Sequence, residues 1–165
     1  MINRYALVLS ALIYIHALGG IADAATVTGT LPVSVNVFVT CTVTTSPVNF
    51  GSVTGESSAV TAGSVVVNCP IDIPYFITLD AGQHYSGGYR RIVSGAYSAA
   101  YELRKPDLAL WGDSDYANTY PAGGSLPDTG TGVNQSHVVN ATLFPFTGIP
   151  AETVLIDTVT VTVYY

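Results

Sequence analysis

The sequence predicts an all-β sandwich that cannot close its own interior, and three observations carry that prediction. Helical periodicity is nearly absent. Threonine, valine and tyrosine recur with period-2 alternation, and Gly or Pro falls every eight to twelve residues, the pattern of many short strands separated by turns. The chain also begins with more alternating strand than a small domain can use, and it ends on a strand with one apolar face and no successor.

The first 24 residues stand apart from this pattern. Arg4 supplies a single positive charge, an apolar run extends from Tyr5 to Ala22, and Ala22-Asp23-Ala24 closes it. A short basic region, an apolar stretch and a small-x-small end describe a secretory signal peptide over residues 1–24, cleaved after Ala24. Gly19 and Gly20 interrupt the run, which leaves it short of the roughly 20 apolar residues a spanning helix needs. No later segment is long and apolar enough for membrane insertion, so the mature product is expected to be soluble or assembled.

The next elements are the most informative. Val27, Gly29, Leu31, Val33, Val35, Val37, Val39 and Cys41 share one parity, while Thr28, Thr30, Pro32, Ser34, Asn36, Phe38 and Thr40 share the other. Extended throughout, this run would span roughly 50 Å at 3.3 Å per residue, about three ordinary strands. We therefore expect two strands in series, 26–35 reaching out of the domain and 36–45 inside it. Residues 25–35 are assigned as a donor strand, with Val27, Gly29, Leu31, Val33 and Val35 as its inserting row, and residues 36–165 as the sandwich domain.

Cys41 and Cys69 are the only cysteines. Export places them in an oxidising compartment, where a disulfide is the natural reading. It closes a loop of about 28 residues, which contributes about 3 kcal/mol by chain-entropy arithmetic. Two thiols without a nearby histidine fall short of the four ligands zinc prefers.

Further strands are expected at 64–69, 74–80, 89–94, 97–104, 137–144 and 154–165. The stretch 112–136, rich in Gly, Asp, Thr, Asn and Ser, reads as a long surface loop. In the last strand Val159, Val161, Val163 and Tyr165 form one face against Thr158, Thr160, Thr162 and Tyr164. An apolar strand left at an edge invites pairing through its free N–H and C=O groups. Val159, Val161, Val163 and Tyr165 are thus expected to wall a groove that an outside strand fills. A chain with one alternating strand too many at its start can fill the same groove in another copy. Donor and acceptor surfaces differ, so the contact is head-to-tail and builds a filament of neighbouring subunits.

Composition narrows the function classes. Charged residues make up only 10% of the chain, and the formal charge is −6 with a pI near 4.6. An acidic chain with five Lys and Arg has no electrostatic footprint for nucleic acid. A surface so poor in charge fits a protein covered by other protein.

Candidate chemistry is sparse. The mature histidines are His84 and His137, and a Ser-His-Asp order can be assembled from any serine-rich sequence, so no enzyme is expected. Asp113-Ser114-Asp115 lacks the further ligands of a calcium loop and reads as a solvated turn. No cofactor or metal is expected. Asn134-Gln135-Ser136 and Asn140-Ala141-Thr142 match glycosylation sequons. Eleven tyrosines can stack on sugars but are also favoured strand residues. Trp111 beside Gly112 reads as a core or sheet-rim anchor.

A series of motifs carries a family resemblance. In order they are Val37-Phe38-Val39-Thr40-Cys41-Thr42-Val43, Val48-Asn49-Phe50-Gly51 and Val65-Val66-Val67-Asn68-Cys69. Then come Tyr75 with Leu79-Asp80-Ala81-Gly82, Arg90 or Arg91, Tyr101-Glu102-Leu103, Trp111-Gly112 and Asp157 through Val163. In this order they resemble the spore coat U domain family, which includes the pilins of archaic (Csu-type) chaperone–usher systems. The resemblance spans essentially the mature chain. It implies an incomplete immunoglobulin-like β-sandwich lacking its last strand and completed by donor-strand exchange. It further implies a periplasmic chaperone that lends a strand, an outer-membrane usher, and a final place in surface fibres for adhesion and biofilm. The sequence departs from the family pattern at Arg104-Lys105-Pro106-Asp107 and at Ala141-Thr142-Leu143-Phe144-Pro145, which bears on subunit type rather than fold. A single domain with a donor-like start points to a shaft or adaptor subunit. The alternative reading is a monomeric secreted or spore-coat-associated binding module, with carbohydrate as its ligand.

Overall fold

The computed structural model describes residues 25–165; the signal peptide expected at 1–24 lies outside them. Residues 25–36 and 37–165 belong to two separate compact units. The first segment is exposed along its whole described length and carries no strand. Its alternation is intact, but an extended segment becomes a strand only where a second backbone pairs with it.

In the second unit eight strands form two antiparallel sheets, and no helix occurs among the described residues. They are β1 Thr42–Ser46, β2 Ala59–Asn68, β3 Pro74–Leu79, β4 Arg90–Ser94, β5 Tyr97–Arg104, β6 Leu126–Thr129, β7 Gln135–Leu143 and β8 Val161–Tyr164. The five-stranded sheet has the order β1-β2-β7-β5-β4 and the three-stranded sheet the order β6-β3-β8. The sandwich expected from the alternating pattern is therefore present.

The longest pairing joins β2 to β7, from Ala59 opposite Leu143 to Val67 opposite Gln135. Alternation along these strands sends Val65, Val67, Val139, Ala141 and Leu143 inward. Tyr75, Ile77 and Leu79 of β3 meet them from the other sheet, with Tyr101, Leu103 and Trp111 completing the core. Sandwiches bury alternate residues of both inner faces in this way. Trp111 is fully buried and donates its indole N–H to the Ile77 carbonyl at 2.9 Å, which satisfies its one polar atom inside the core.

Several expected elements differ, and the strand expected at 154–165 is confined to β8, where β3 pairs with it. The strand 36–45 shrinks to β1, because only Thr42–Ser46 has β2 beside it. The strand at 64–69 starts earlier, at Ala59, since β7 pairs along that whole length. The expected loop 112–136 contains β6, which pairs with β3 from Ile77–Leu126 to Pro74–Thr129. Leu126-Pro127-Asp128-Thr129 has poor strand propensity; Pro127 is tolerated because β6 is an edge strand.

The pairings give the sandwich two poles. Cys41 and Cys69 form a disulfide where β1 starts and β2 ends. Tyr164 of β8 lies opposite Phe76, near the start of β3, whose Pro74 pairs with Thr129 beside Gly130, in turn against Cys69. The first pole thus holds the root of the N-terminal segment and the end of β8. The second pole holds the end of β1, the turn after β3 and the residues just before β8.

Candidate functional site

One strand edge in the described structure is conspicuously unpartnered. β8 pairs with β3 on one side, from Phe76–Tyr164 to Leu79–Val161, and has no strand on the other. The chain leading into it is also extended. Ile156 exchanges backbone hydrogen bonds with Val93 at 3.1 and 2.9 Å, and Thr158 and Thr160 accept from Gln83 and Asp80. The even-numbered residues thus point their backbone groups at the molecule. Alternation turns the N–H and C=O groups of Leu155, Asp157 and Val159 the other way, and none of these has a hydrogen-bond partner among the described residues. Across from them, Pro47 to Thr54 make no backbone–backbone bond among the described residues either.

Between these two rows lies a cleft of about 1140 Å³. Its floor is the core itself: Val65, Val139 and Leu143 of one sheet and Leu79 of the other are buried residues that also line it. Its rim is half-buried and apolar, with Val48, Phe50, Ile92, Phe146, Ile149, Val159 and Val161. The interior of the sandwich is open along one side, and that side is flanked by unpaired backbone.

Polar anchors fix the edge. Asp157 faces inward: it accepts from the Tyr101 hydroxyl at 2.7 Å, and from Gln83 N–H and His84 Nδ1 at 3.0 Å each. Burial, then the hydrogen bond to Asp157, push the Tyr101 pKa far above its ordinary value, so the hydroxyl stays a donor. Gly82 has a φ of +75° and a Cβ there would strike the Asp157 carboxylate, so only glycine fits beneath it. Asp80 accepts from Thr160 N–H at 2.8 Å and Gly82 N–H at 2.9 Å. Behind this turn Arg90 is fully buried and donates to the carbonyls of Asp80, Leu79 and Trp111. Its guanidinium lies 3.9 Å from the Tyr120 ring centroid, a cation–π contact. Burial lowers the Arg90 pKa, while Tyr120, Tyr101, Asp80 and Asp113 act against that shift. Arg90 thereby holds the end of β3, against which β8 is registered.

Of the residues expected at the groove, Val159 and Val161 line the cleft. Val163 packs on the core beyond it. Tyr165 is 59% exposed at the chain end and does not line it. Val27, Gly29, Leu31, Val33 and Val35 are exposed. Val48 and Phe50, quoted only as a motif, form the opposite wall, and Phe146, Ile149 and Asp157 had no assigned role. Val48 and Phe50 alternate and could have been found that way; Phe146 and Ile149 lie among prolines and glycine and reach the cleft only through tertiary placement.

The remaining candidate chemistry resolves into structural bonds. His137 Nε2 lies 3.0 Å from the Tyr75 hydroxyl, which donates to Asp128 at 3.1 Å, joining the two sheets. Asp113 accepts from Tyr120 N–H and the Thr119 hydroxyl, and Asp115 from Ser125. No group of three metal-ligating side chains occurs among the described residues. No helix among them is long and apolar enough to cross a membrane.

A family model described as the Spore Coat Protein U domain matches residues 27–162, most of the chain. The chain belongs to the Spore Coat Protein U domain family. Among solved structures, this family member is similar to a chain in the crystal structure of the CsuC–CsuE chaperone–tip adhesion subunit pre-assembly complex. That complex comes from archaic chaperone–usher Csu pili of Acinetobacter baumannii. The match has a TM-score of 0.55 and 20% identity, and covers 78% of this chain and 40% of that one. The Spore Coat Protein U domain chain thus spans two fifths of its structural neighbour, and the likeness is one of fold. No curated protein matches.

Proposed function

We propose that this Spore Coat Protein U domain protein is a structural pilus subunit, exported to the periplasm, held there by a chaperone strand and polymerised through an outer-membrane usher into surface fibres for adhesion and biofilm. One observation carries the reading: the hydrophobic core opens into a cleft flanked on one side by the unpartnered backbone groups of Leu155, Asp157 and Val159 and on the other by Pro47–Thr54, which make no backbone–backbone bond among the described residues. A single added strand satisfies both rows and covers the exposed core. Strand addition supplies main-chain hydrogen bonds for affinity and side-chain pockets for specificity. The family membership and the structural neighbour, a chain of a chaperone–subunit complex, support the chaperone as the first occupant.

The second occupant is residues 25–35 of the next subunit. The alternating row Val27, Gly29, Leu31, Val33 and Val35 is exposed, so it has a full apolar face to deliver. The test is a chain whose mature form lacks residues 25–35, co-expressed with its chaperone. It should remain a chaperone-bound subunit that accepts a strand but extends no polymer. Fibres of normal length from the truncated chain would overturn the donor assignment. A subunit that stays monodisperse without any chaperone would favour the monomeric binding module instead.

A further inference from the structure

The poles of the sandwich set the direction of the exchanged strand. The N-terminal segment leaves from Cys41, at the pole where β8 ends. In a head-to-tail polymer that pole meets the opposite pole of the next copy, where the chain enters the cleft edge at residues 151–158. The donor then runs antiparallel to β8. A parallel insertion would bring like poles together and close a pair rather than grow a fibre.

The faces set the parity. Odd residues of the segment 155–163 are half-buried and even ones exposed up to Thr162, and directly opposite residues share a face. The odd, apolar row of the donor must oppose the odd row of the acceptor, since a slip of one residue would turn it to solvent. Gly29 then chooses among the allowed registers. Val159 and Val161 line the cleft, but Val163 lies beyond it, so the donor position opposite Val163 has no pocket to fill. Gly29 belongs there. That places Leu31, the largest donor side chain of the row, opposite Val161, Val33 opposite Val159, and Val27 opposite Tyr165. Pro32 falls opposite Thr160, whose own backbone groups already serve Asp80, so its missing N–H costs no bond to β8.

The same register gives a use to Phe38, the only large apolar residue on the outward parity of the N-terminal run and 86% exposed. Its position falls opposite Val154, with Ile156 as the diagonal neighbour, and both are exposed, at 75% and 67%. Resting on the strand-exchange reading and its antiparallel donor, we infer that Leu31 of the donor stands opposite Val161, and that Phe38 of the donor copy packs on Val154 and Ile156 of the acceptor. This contact lies on the exposed face of the acceptor edge and locks the register at the junction between two copies of the chain.

Cross-linking in polymers of the full mature chain tests the register. Ser34 and Thr158 are exposed and fall opposite one another in a non-hydrogen-bonded pair, where Cα atoms approach to about 4.5 Å and a disulfide closes. S34C/T158C should give a ladder of linked subunits on a non-reducing gel. S34C/T160C and S34C/I156C, displaced by two residues, should not. A ladder from a displaced pair, or none from S34C/T158C in polymers of normal yield, overturns the register while leaving strand exchange intact. Loss of polymer in the unmodified chain overturns the exchange itself. Phe38→Ser should leave the chaperone-bound subunit at normal yield and make the polymer dissociate roughly ten- to a hundredfold faster. An unchanged dissociation rate would remove Phe38 from the contact.

Discussion

Replacing Val161 by Asp probes the cleft where strand pairing and side-chain burial coincide. Val161 pairs with Leu79 on β3, is half-buried and lines the cleft. In the subunit alone, the introduced carboxylate faces the cleft and stays hydrated, so the fold loses little. Once a strand covers the cleft, the carboxylate is enclosed by Leu79, Val159 and the apolar row of the incoming strand. A charge there must either remain buried without a partner or take up a proton. Protonation sets the ceiling: raising an aspartate from its ordinary value near 3.9 to above neutral costs 1.36 kcal/mol per unit, about 4 kcal/mol at pH 7. Affinity for any inserted strand therefore falls by roughly a thousandfold. The sign with pH follows from the same arithmetic. The carboxyl's pKa is raised in the covered state, so the penalty is complete at neutral pH and fades as pH falls toward 4. Chaperone co-purification and polymer yield of V161D, measured at pH 7 and pH 4.5, read both occupants. Thr162→Asp, one residue along on the exposed face, is the control and should cost little. Equal loss in both variants, or normal chaperone retention by V161D at pH 7, would refute the cleft as the strand-binding surface.

Three further outcomes are expected. C41S/C69S should destabilise the chaperone-bound subunit by about 3 kcal/mol through the roughly 28-residue loop it reopens, read as a lowered urea midpoint with a somewhat steeper slope, because the unfolded chain expands. Arg90→Met should cost at least about 3 kcal/mol, because the carbonyls of Leu79, Asp80 and Trp111 lose their donor inside the protein; periplasmic yield and denaturant unfolding measure it. Burial lowers the His137 pKa below its ordinary value near 6.5, with Asp128 acting against it. The unfolded chain thus binds the proton more readily, so His137's contribution is complete above pH 6.5 and is lost as pH falls below it. His137→Gln should flatten the decline in thermal stability between pH 7 and pH 5.

What could be read from residue order was whatever depends on local alternation. The two-faced strand near the C-terminus and the apolar row at 27–35 follow from period 2, because side chains alternate whichever strand lies beside them, and the pairing of the two cysteines follows from their number and the export signal. Tertiary structure alone decided what each edge meets. Leu126–Thr129 became a strand because β3 offered it an edge, against the preference of Pro127 and Asp128. Phe146 and Ile149 reached the cleft from an irregular connection. Asp157, one polar residue among many in the sequence, became the anchor that holds the open edge of the cleft through Tyr101, Gln83 and His84. Strand pairing is a contact between residues far apart in the chain, so the sequence displays a surface ready to pair, while only the folded molecule shows which backbone groups are left without a partner.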